Sequence, residues 1–222
     1  MPDYRLLVFD WDGTLVDSIA RIVESMRAAA DACALPQLDE MTIRGIIGLG
    51  LPEAIRSLYP QLEDPARVEV FRRVYSDHYL ALEREPSPLF PGVRESLLAF
   101  REQGYLLAVA TGKTRRGLDR VLAGHGWLDF FDITRCADET ASKPDPRMLR
   151  EILAHCGVAS GRALMVGDSP FDLQMAHAAG MTAVAVGYGA QPLAVLQEHR
   201  PHLAIDEFAA LQDWLAPRKA FA

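Results

Sequence analysis

Cysteine is scarce in this chain, and its few copies follow no ligand or disulfide pattern. Cys33, Cys136 and Cys156 are odd in number, far apart and outside any CxxC spacing. A disulfide framework or a cysteine zinc site would need paired or closely spaced thiols. The pattern therefore favours buried, unpaired thiols in a reducing compartment over either class.

Runs of basic residues and long apolar segments are missing as well. The net charge is −7, and no cluster of Lys and Arg interrupts the sequence, which argues against a nucleic-acid or anionic-membrane surface. No stretch has the length of a transmembrane helix, and the start, MPDYR, lacks the layout of a signal peptide. We expect a cytoplasmic monomer or homodimer that binds a small soluble ligand, not nucleic acid or membrane.

The most informative stretch is LLVFDWDGTL, at positions 6–15. Its first four residues have the length and composition of a strand buried on both faces of a parallel sheet, and Gly13 ends it. Asp10 and Asp12 therefore lie at the carboxyl end of the strand, where open α/β sheets bind ligands. Two carboxylates so close are unfavourable unless a cation neutralises them or one takes up a proton. A solvated acidic turn is the alternative reading, and the motif alone does not exclude it.

Helical periodicity without any strand pattern extends over residues 16–85. The predicted helices are one capped by Asp17, a short one over 39–47, one from Pro52 to Leu58, and one capped by Asp64 that runs to Leu82. A proline-rich connector, EPSPLFPG, follows at 85–92. We predict a helical cap domain over 16–85, inserted into a core formed by residues 1–15 and 86–222.

Beyond the connector, apolar strands alternate with helices. The predicted strands cover 105–110, 133–136, 163–166 and 181–186, with a weak one near 203. This alternation predicts an α/β fold, a doubly wound parallel sheet with helices on both faces. Its strand ends share one edge, which brings together residues from distant parts of the chain: Asp10, Asp12, Thr111, Lys143 and Asp168. The cap, inserted after the first of these turns, is expected to cover the site as a lid.

Acids, a hydroxyl, a lysine and glycine turns suit phosphoryl transfer, which needs positioning and neutralised oxygens. We predict that Asp10 attacks phosphorus and forms an aspartyl-phosphate. Asp12 would protonate the leaving oxygen and then take a proton from the hydrolytic water. Mg²⁺ is the expected cofactor because the ligands on offer are oxygens, and Asp168 would supply a further carboxylate.

Four more residues lie in or next to these turns: Trp11, Thr111, Gly112 and Lys143. Thr111 and Gly112 follow a strand, and Lys143 lies in a loop beyond the next one. Strand alternation predicts that the Trp11 side chain points away from both aspartates and into the core. Taken singly, Thr111 can be an ordinary strand end and Lys143 a solvated lysine.

Four turns, DWDGT, TGK, KP and GDSPFD, occur in this order with a helical insertion after the first. They resemble the four motifs of the haloacid dehalogenase superfamily, and the insertion resembles the small C1-type cap of its phosphatase branch, near phosphoglycolate phosphatases. The resemblance implies a Rossmann-like core and a Mg²⁺-dependent phosphatase of a small phosphorylated metabolite. It also implies that Asp10, Asp168 and the backbone carbonyl of Asp12 bind the metal. The phosphate contacts that it implies are Trp11, Thr111, Gly112 and Lys143. A phosphomutase of the same superfamily and a phospho-receiver-like signalling domain are the alternatives.

Four further residues each have a structural and a functional interpretation. Asp172 lies three residues after Ser169, so it either completes a capping box or supports the metal site. In the cap, Gly48-Leu49-Gly50 is the best candidate for a loop that faces the site. Leu49 would select the substrate through an apolar contact, and Arg44 or Arg56 through an anionic group. Both arginines can equally be solvated helix residues.

Overall fold

A single six-stranded sheet forms the centre of the computed structural model, which describes residues 3–216. Its strands are β1 (Leu6–Phe9), β2 (Leu106–Thr111), β3 (Ile133–Cys136), β4 (Ala163–Gly167), β5 (Thr182–Val186) and β6 (Leu203–Ile205). The spatial order is β3-β2-β1-β4-β5-β6, and every pair is parallel. The predicted doubly wound parallel sheet is confirmed.

Strand β1 occupies the middle of the sheet. Leu6 pairs with Leu106 of β2 on one side and with Ala163 of β4 on the other. All four side chains of β1 are fully buried, alternately in the two apolar clusters on opposite faces of the sheet. This two-sided burial explains the uninterrupted apolar run. Asp10 therefore follows β1 at the point where the chain winds to either side, the position at which such sheets bind ligands.

Four helices and no strand lie between residues 17 and 85. They are α1 (Ile19–Ala32), α2 (Glu40–Arg44), α3 (Leu51–Leu58) and α4 (Pro65–Leu82). Their apolar faces form a third cluster of their own, which includes Phe71 and Ile55 and takes in only one buried residue from beyond position 85, Ala190. The predicted helices are thus confirmed, whereas the boundaries of a cap domain stay a prediction.

The start of α1 differs from the prediction. Its N-cap residue is Ser18 and not Asp17, and no side chain caps the helix. The Ser18 hydroxyl donates instead to Asp12 Oδ1 at 2.6 Å. The cap predicted for α4 is correct, because Asp64 Oδ1 accepts from the Ala66 amide at 2.9 Å.

Six helices accompany the remaining strands and cover the sheet. They are α5 (Val93–Glu102), α6 (Arg115–His125), α7 (Arg147–Cys156), α8 (Pro170–Ala178), α9 (Leu193–Gln197) and α10 (Ala210–Leu215). The short α9 lies after β5, where no helix was predicted. All three cysteines are free, as expected; Cys33 and Cys136 are buried, whereas Cys156 is only half-buried. Within residues 3–216, no helix has both the length and the apolar character needed to cross a membrane.

Candidate active site

A buried lysine links two acids from different turns. Lys143 Nζ lies 2.6 Å from Asp10 Oδ1 and 2.7 Å from Asp172 Oδ1. All three side chains are withdrawn from solvent, where an unpaired charge would be strongly unfavourable. Lys143 is therefore held by a specific pair of carboxylates and is not the solvated lysine of the alternative reading.

Asp168 is positioned by the turn that follows β1 and by the loop that follows β5. Its Oδ1 accepts from the Thr14 hydroxyl at 3.1 Å, and its Oδ2 from the Ala190 amide at 2.6 Å. Gly13 and Gly189 both press against this carboxylate, and a methyl group at either position would overlap it. Gly13 also has a φ of +79°, which disfavours other residues. The glycine of DWDGT is thus explained by the approach of Asp168.

Three carboxylates converge beside β1. Asp10, Asp168 and Asp172 offer oxygens that all lie within 4.8 Å of one another. Burial, and then the charges of Asp172 and Asp168, raise the pKa of Asp10 well above its usual range, against the opposing effect of Lys143. Burial and the neighbouring Asp172 likewise raise the pKa of Asp168 to about 7.

Asp10 Oδ2 is buried and has no hydrogen-bond partner in the described part of the chain. One lysine does not neutralise three acids, and the atoms that these acids offer to a metal ion are all carboxylate oxygens. A buried, oxygen-only set of this kind fits a hard divalent cation such as Mg²⁺.

The Asp12 carboxylate has different neighbours from that of Asp10. Its Oδ1 accepts from the Ser18 hydroxyl at 2.6 Å and lies 3.0 Å from Lys113 Nζ. Lys113 in turn lies 3.2 Å from the hydroxyl of Tyr79 on α4. The carboxylate of Asp12 is not part of the three-acid group. A role for Asp12 at the metal is thereby left to its backbone carbonyl.

Neither Ser18 nor Lys113 was predicted as a partner of Asp12. Lys113 stands two residues after Thr111 in the TGK turn, and this proximity to a predicted phosphate contact was the available signal. Asp17 was predicted to cap α1, so the adjacent Ser18 was given no role. Their contacts with Asp12 could not be predicted from the sequence, because they depend on the path that the chain takes between β1 and α1.

Thr111 and Gly112 lie at the end of β2, next to β1. Thr111 is buried, and its hydroxyl oxygen accepts from the Lys113 amide at 3.2 Å. Gly112 lies under the loop of residues 48–50, against the carbonyl oxygens of Gly48 and Leu49. The structure therefore brings this predicted phosphate-binding turn to the same edge of the sheet as Asp10.

The Trp11 side chain points away from both aspartates, as predicted. It is fully buried in an aromatic cluster and packs edge-on against Trp127, with ring centroids 6.2 Å apart. The two other rings in edge-on contact with it are those of His125 and Phe131. A phosphate contact by Trp11 is consequently possible only through its backbone.

Asp172 completes the predicted capping box and also lies among the acids beside β1. Its Oδ2 accepts from the Ser169 hydroxyl at 2.6 Å, within a complete capping box at the start of α8. Its Oδ1 pairs with Lys143, and its carboxylate belongs to the three-acid group. One oxygen thus caps the helix while the other faces the site.

A cavity of about 300 Å³ lies above Asp10 and Asp12, between the sheet edge and the helices of residues 16–85. Leu49 lines it, next to Gly112 and Lys113. The loop of Leu49 rests on the core, because the Gly50 amide donates to Ser142 Oγ at 2.8 Å. The loop predicted to face the site is therefore found there.

Neither arginine predicted in the cap is among the described residues that line this cavity. Arg44 donates through Nε and Nη2 to the carbonyls of Ala190 and Gly189, at 3.0 and 2.6 Å. Arg56 is two-thirds exposed and pairs with Glu53 on its own helix at 2.6 Å. Arg44 thus fastens the helical segment to the core loop that holds Asp168, and Arg56 is a solvated helix residue.

Known proteins match nearly the whole chain. A family model described as haloacid dehalogenase-like hydrolase matches residues 7–186. "Probable phosphatase IndB" of Dickeya dadantii (strain 3937) is 35% identical over 207 residues, 92% of this chain and 90% of that protein. Phosphoglycolate phosphatase of Mesorhizobium japonicum is 34% identical over 217 residues, 96% of this chain and 95% of that protein. The crystal structure of a predicted phosphoglycolate phosphatase from Haemophilus somnus 129pt has a TM-score of 0.84 and 29% identity, and covers 97% of this chain and 100% of that one.

Proposed function

Because this chain belongs to the haloacid dehalogenase-like hydrolase family, we propose that it is a Mg²⁺-dependent phosphatase that hydrolyses a small phosphorylated metabolite through an aspartyl-phosphate on Asp10. That it is a phosphatase follows from the family and from relatives that bear this name. The observation that carries the mechanism is the unequal surroundings of the two aspartates. Asp10 is held by Lys143 among further acids, whereas Asp12 faces the same cavity with other partners.

Asp10 is suited to nucleophilic attack. Lys143 holds its Oδ1, while its Oδ2 is free of hydrogen bonds from residues 3–216. In the first step a carboxylate oxygen bonds to phosphorus as the bond from phosphorus to the leaving oxygen breaks. In this proposal Lys143 and the Thr111 hydroxyl would hold the oxygens of the transferred group, and backbone groups of the Trp11 and Gly112 turns would complete the phosphate site.

Asp12 is suited to proton transfer. It delivers its proton to the leaving oxygen, and the alcohol departs. It then takes a proton from water as that water attacks phosphorus, which releases phosphate and restores the Asp10 carboxylate. Ser18 and Lys113 fix the position of the Asp12 carboxylate away from the three-acid group, so that it serves the leaving group and not the metal.

The metal would be held by Asp10, Asp168 and the backbone carbonyl of Asp12, with Asp172 in support. When bound, Mg²⁺ supplies positive charge that neutralises the oxygens around phosphorus. Thr14 and the Ala190 amide orient Asp168 for this role by occupying one lone pair on each of its oxygens.

Hydrolysis of p-nitrophenyl phosphate tests the proposal. Asp10→Asn should fold normally and lose turnover by several orders of magnitude, and excess chelator should abolish wild-type activity until Mg²⁺ is restored. The exposed Asp17→Asn is the matched control and should retain activity. Near-normal turnover by Asp10→Asn would remove this residue as the nucleophile, and full activity in chelator would remove the metal. Conversion of a sugar phosphate into its isomer without release of phosphate would identify a phosphomutase instead.

A further inference from the structure

The cavity above the two aspartates has a mostly apolar wall. Its apolar lining residues include Ile22, Met26, Ile46, Leu49, Ala54 and Leu80. A volume of about 300 Å³ is at the lower end of the range of small-molecule sites. In the proposed mechanism the phosphoryl group binds at the sheet edge. The cavity is therefore available to the leaving group of the substrate.

Two acids in this wall have no role in the phosphoryl chemistry, the exposed Asp77 and the buried Glu83. Glu83, which ends α4, lines the cavity, and its side chain is only 5% exposed. Neither of its oxygens has a hydrogen-bond partner anywhere in residues 3–216. Arg120 Nη1 lies 3.9 Å from its Oε2, beyond hydrogen-bond distance. Burial accordingly raises the pKa of Glu83, although the nearby Lys113 opposes this.

A buried carboxylate without donors is costly, and a ligand that supplies a donor removes the cost. We propose that the natural leaving group is an alcohol with an apolar body that carries a second hydroxyl or an ammonium group, which donates to Glu83. The proposal rests on the proposed phosphatase function and adds the chemical class of the substrate. Glu83 acts in it as a specificity residue and takes no part in proton transfer.

The charges around the cavity disfavour a small anionic leaving group such as glycolate. Lys113 is already engaged by Asp12 and Tyr79. The other two basic residues that line the cavity, Arg116 and Arg120, are exposed, so solvent screens their charge. An anion placed against the apolar wall would instead meet the unpaired Glu83. The substrate is therefore expected to differ from that of relatives named for phosphoglycolate.

Aryl phosphates that differ at one position give the test. The purified enzyme with Mg²⁺ is assayed with 4-methylphenyl, 4-(hydroxymethyl)phenyl, 4-(aminomethyl)phenyl and 4-carboxyphenyl phosphate. The hydroxymethyl and aminomethyl compounds should exceed the methyl compound in kcat/KM by roughly 10-fold to 100-fold, the range of a hydrogen bond to a buried charged group. The carboxy compound should be the poorest of the four.

Two substitutions separate the hydrogen bond from the charge. In Glu83→Leu, the preference for both donor compounds over the methyl compound should fall to about one. In Glu83→Gln, an acceptor remains, so the preference for the hydroxymethyl compound should persist while that for the aminomethyl compound is lost. Glu69→Leu changes an exposed glutamate of the same helix and should leave all ratios as in the wild type.

The outcomes are distinct. Equal kcat/KM for the methyl, hydroxymethyl and aminomethyl compounds, or unchanged ratios in Glu83→Leu, would overturn the proposal and leave the phosphatase intact. A wild-type enzyme inert towards all four esters would overturn the proposed function itself.

Discussion

The carbonyl oxygen of Gly48 lies against Gly112, so closely that a methyl group on Gly112 would come within 2.7 Å of it. The carbonyl of Leu49 presses on the same glycine. The loop of residues 48–50 and the turn after β2 are thus in direct backbone contact. Any side chain at position 112 has to displace the loop that carries Leu49.

Gly112→Ala should therefore weaken both activity and stability. Overpacking of a close contact typically costs about 1–3 kcal/mol, and displacement of the loop disturbs the wall of the cavity. We expect kcat/KM for p-nitrophenyl phosphate to fall at least roughly 10-fold, because a small displacement of the reacting groups lowers the rate strongly. Gly161→Ala is the control, because no neighbouring atom lies within 4 Å of a methyl group there. Equal kinetics for the two variants would show that the contact with Gly48 is loose.

Asp12→Asn should separate the two chemical steps. p-Nitrophenolate leaves without protonation, so Asp10 should still be phosphorylated, but no base remains to activate water. Rapid mixing should show a burst of about one equivalent of nitrophenolate per enzyme, followed by slow turnover. Continuous release at the wild-type rate would exclude Asp12 as the base.

Arg44→Met should loosen the attachment of the helices to the core, whereas Arg56→Met should not. Arg44 holds the carbonyls of Gly189 and Ala190, and the Ala190 amide holds Asp168. We expect faster hydrogen exchange at the Ala190 amide and a higher KM in Arg44→Met. Arg56 is exposed, so its replacement should leave both quantities within error. Identical exchange in the two variants would contradict this role for Arg44.

Glu139→Gln should destabilise the fold at neutral pH and less so in acid. Arg115 contacts Glu139 through two nitrogens, at 3.1 and 2.8 Å, and chiefly these hydrogen bonds lower the pKa of Glu139. A lowered folded-state pKa means that the stabilisation is present above the unfolded value of 4.5 and is lost as pH falls through the folded value.

Since the pair is partly exposed, we expect the free energy of unfolding to differ by only about 1 kcal/mol at pH 7. Urea denaturation should show this difference shrinking as the pH falls below about 4.5. The exposed Glu102→Gln serves as the control. A difference that stays constant with pH would assign the effect to packing.

Local patterns were sufficient to predict much of this fold. The apolar run before Asp10 identified a strand buried on both faces, and Ser169 with Asp172 identified the start of α8. Both features are encoded by neighbours in the sequence. The shared edge of a parallel sheet then follows from topology, and it brought Asp10, Lys143 and Asp168 together as expected.

The contacts between distant segments could not be predicted in the same way. The pair of Lys113 with Asp12 and the bonds from Arg44 to Gly189 depend on how the inserted helices lie against the core. Nothing in the local sequence marks Glu83 as buried, because the two residues that follow it, Arg84 and Glu85, are charged and exposed. The role of such residues depends on their burial and their contacts, which only the three-dimensional structure defines.

The central place of β1 also has a consequence for how the chain acquires its structure. Leu6 needs partners at Leu106 and Ala163, so the contacts of this strand are among the most distant in sequence. Folds dominated by such non-local pairings fold slowly, because long loops must close, with a loss of chain entropy, before the stabilising contacts form. A ribosome makes β1 early, yet its second neighbour emerges only with β4. The strand that bears the nucleophile is made first and completed late, so a nascent chain that stops before residue 163 contains Asp10 without its catalytic site.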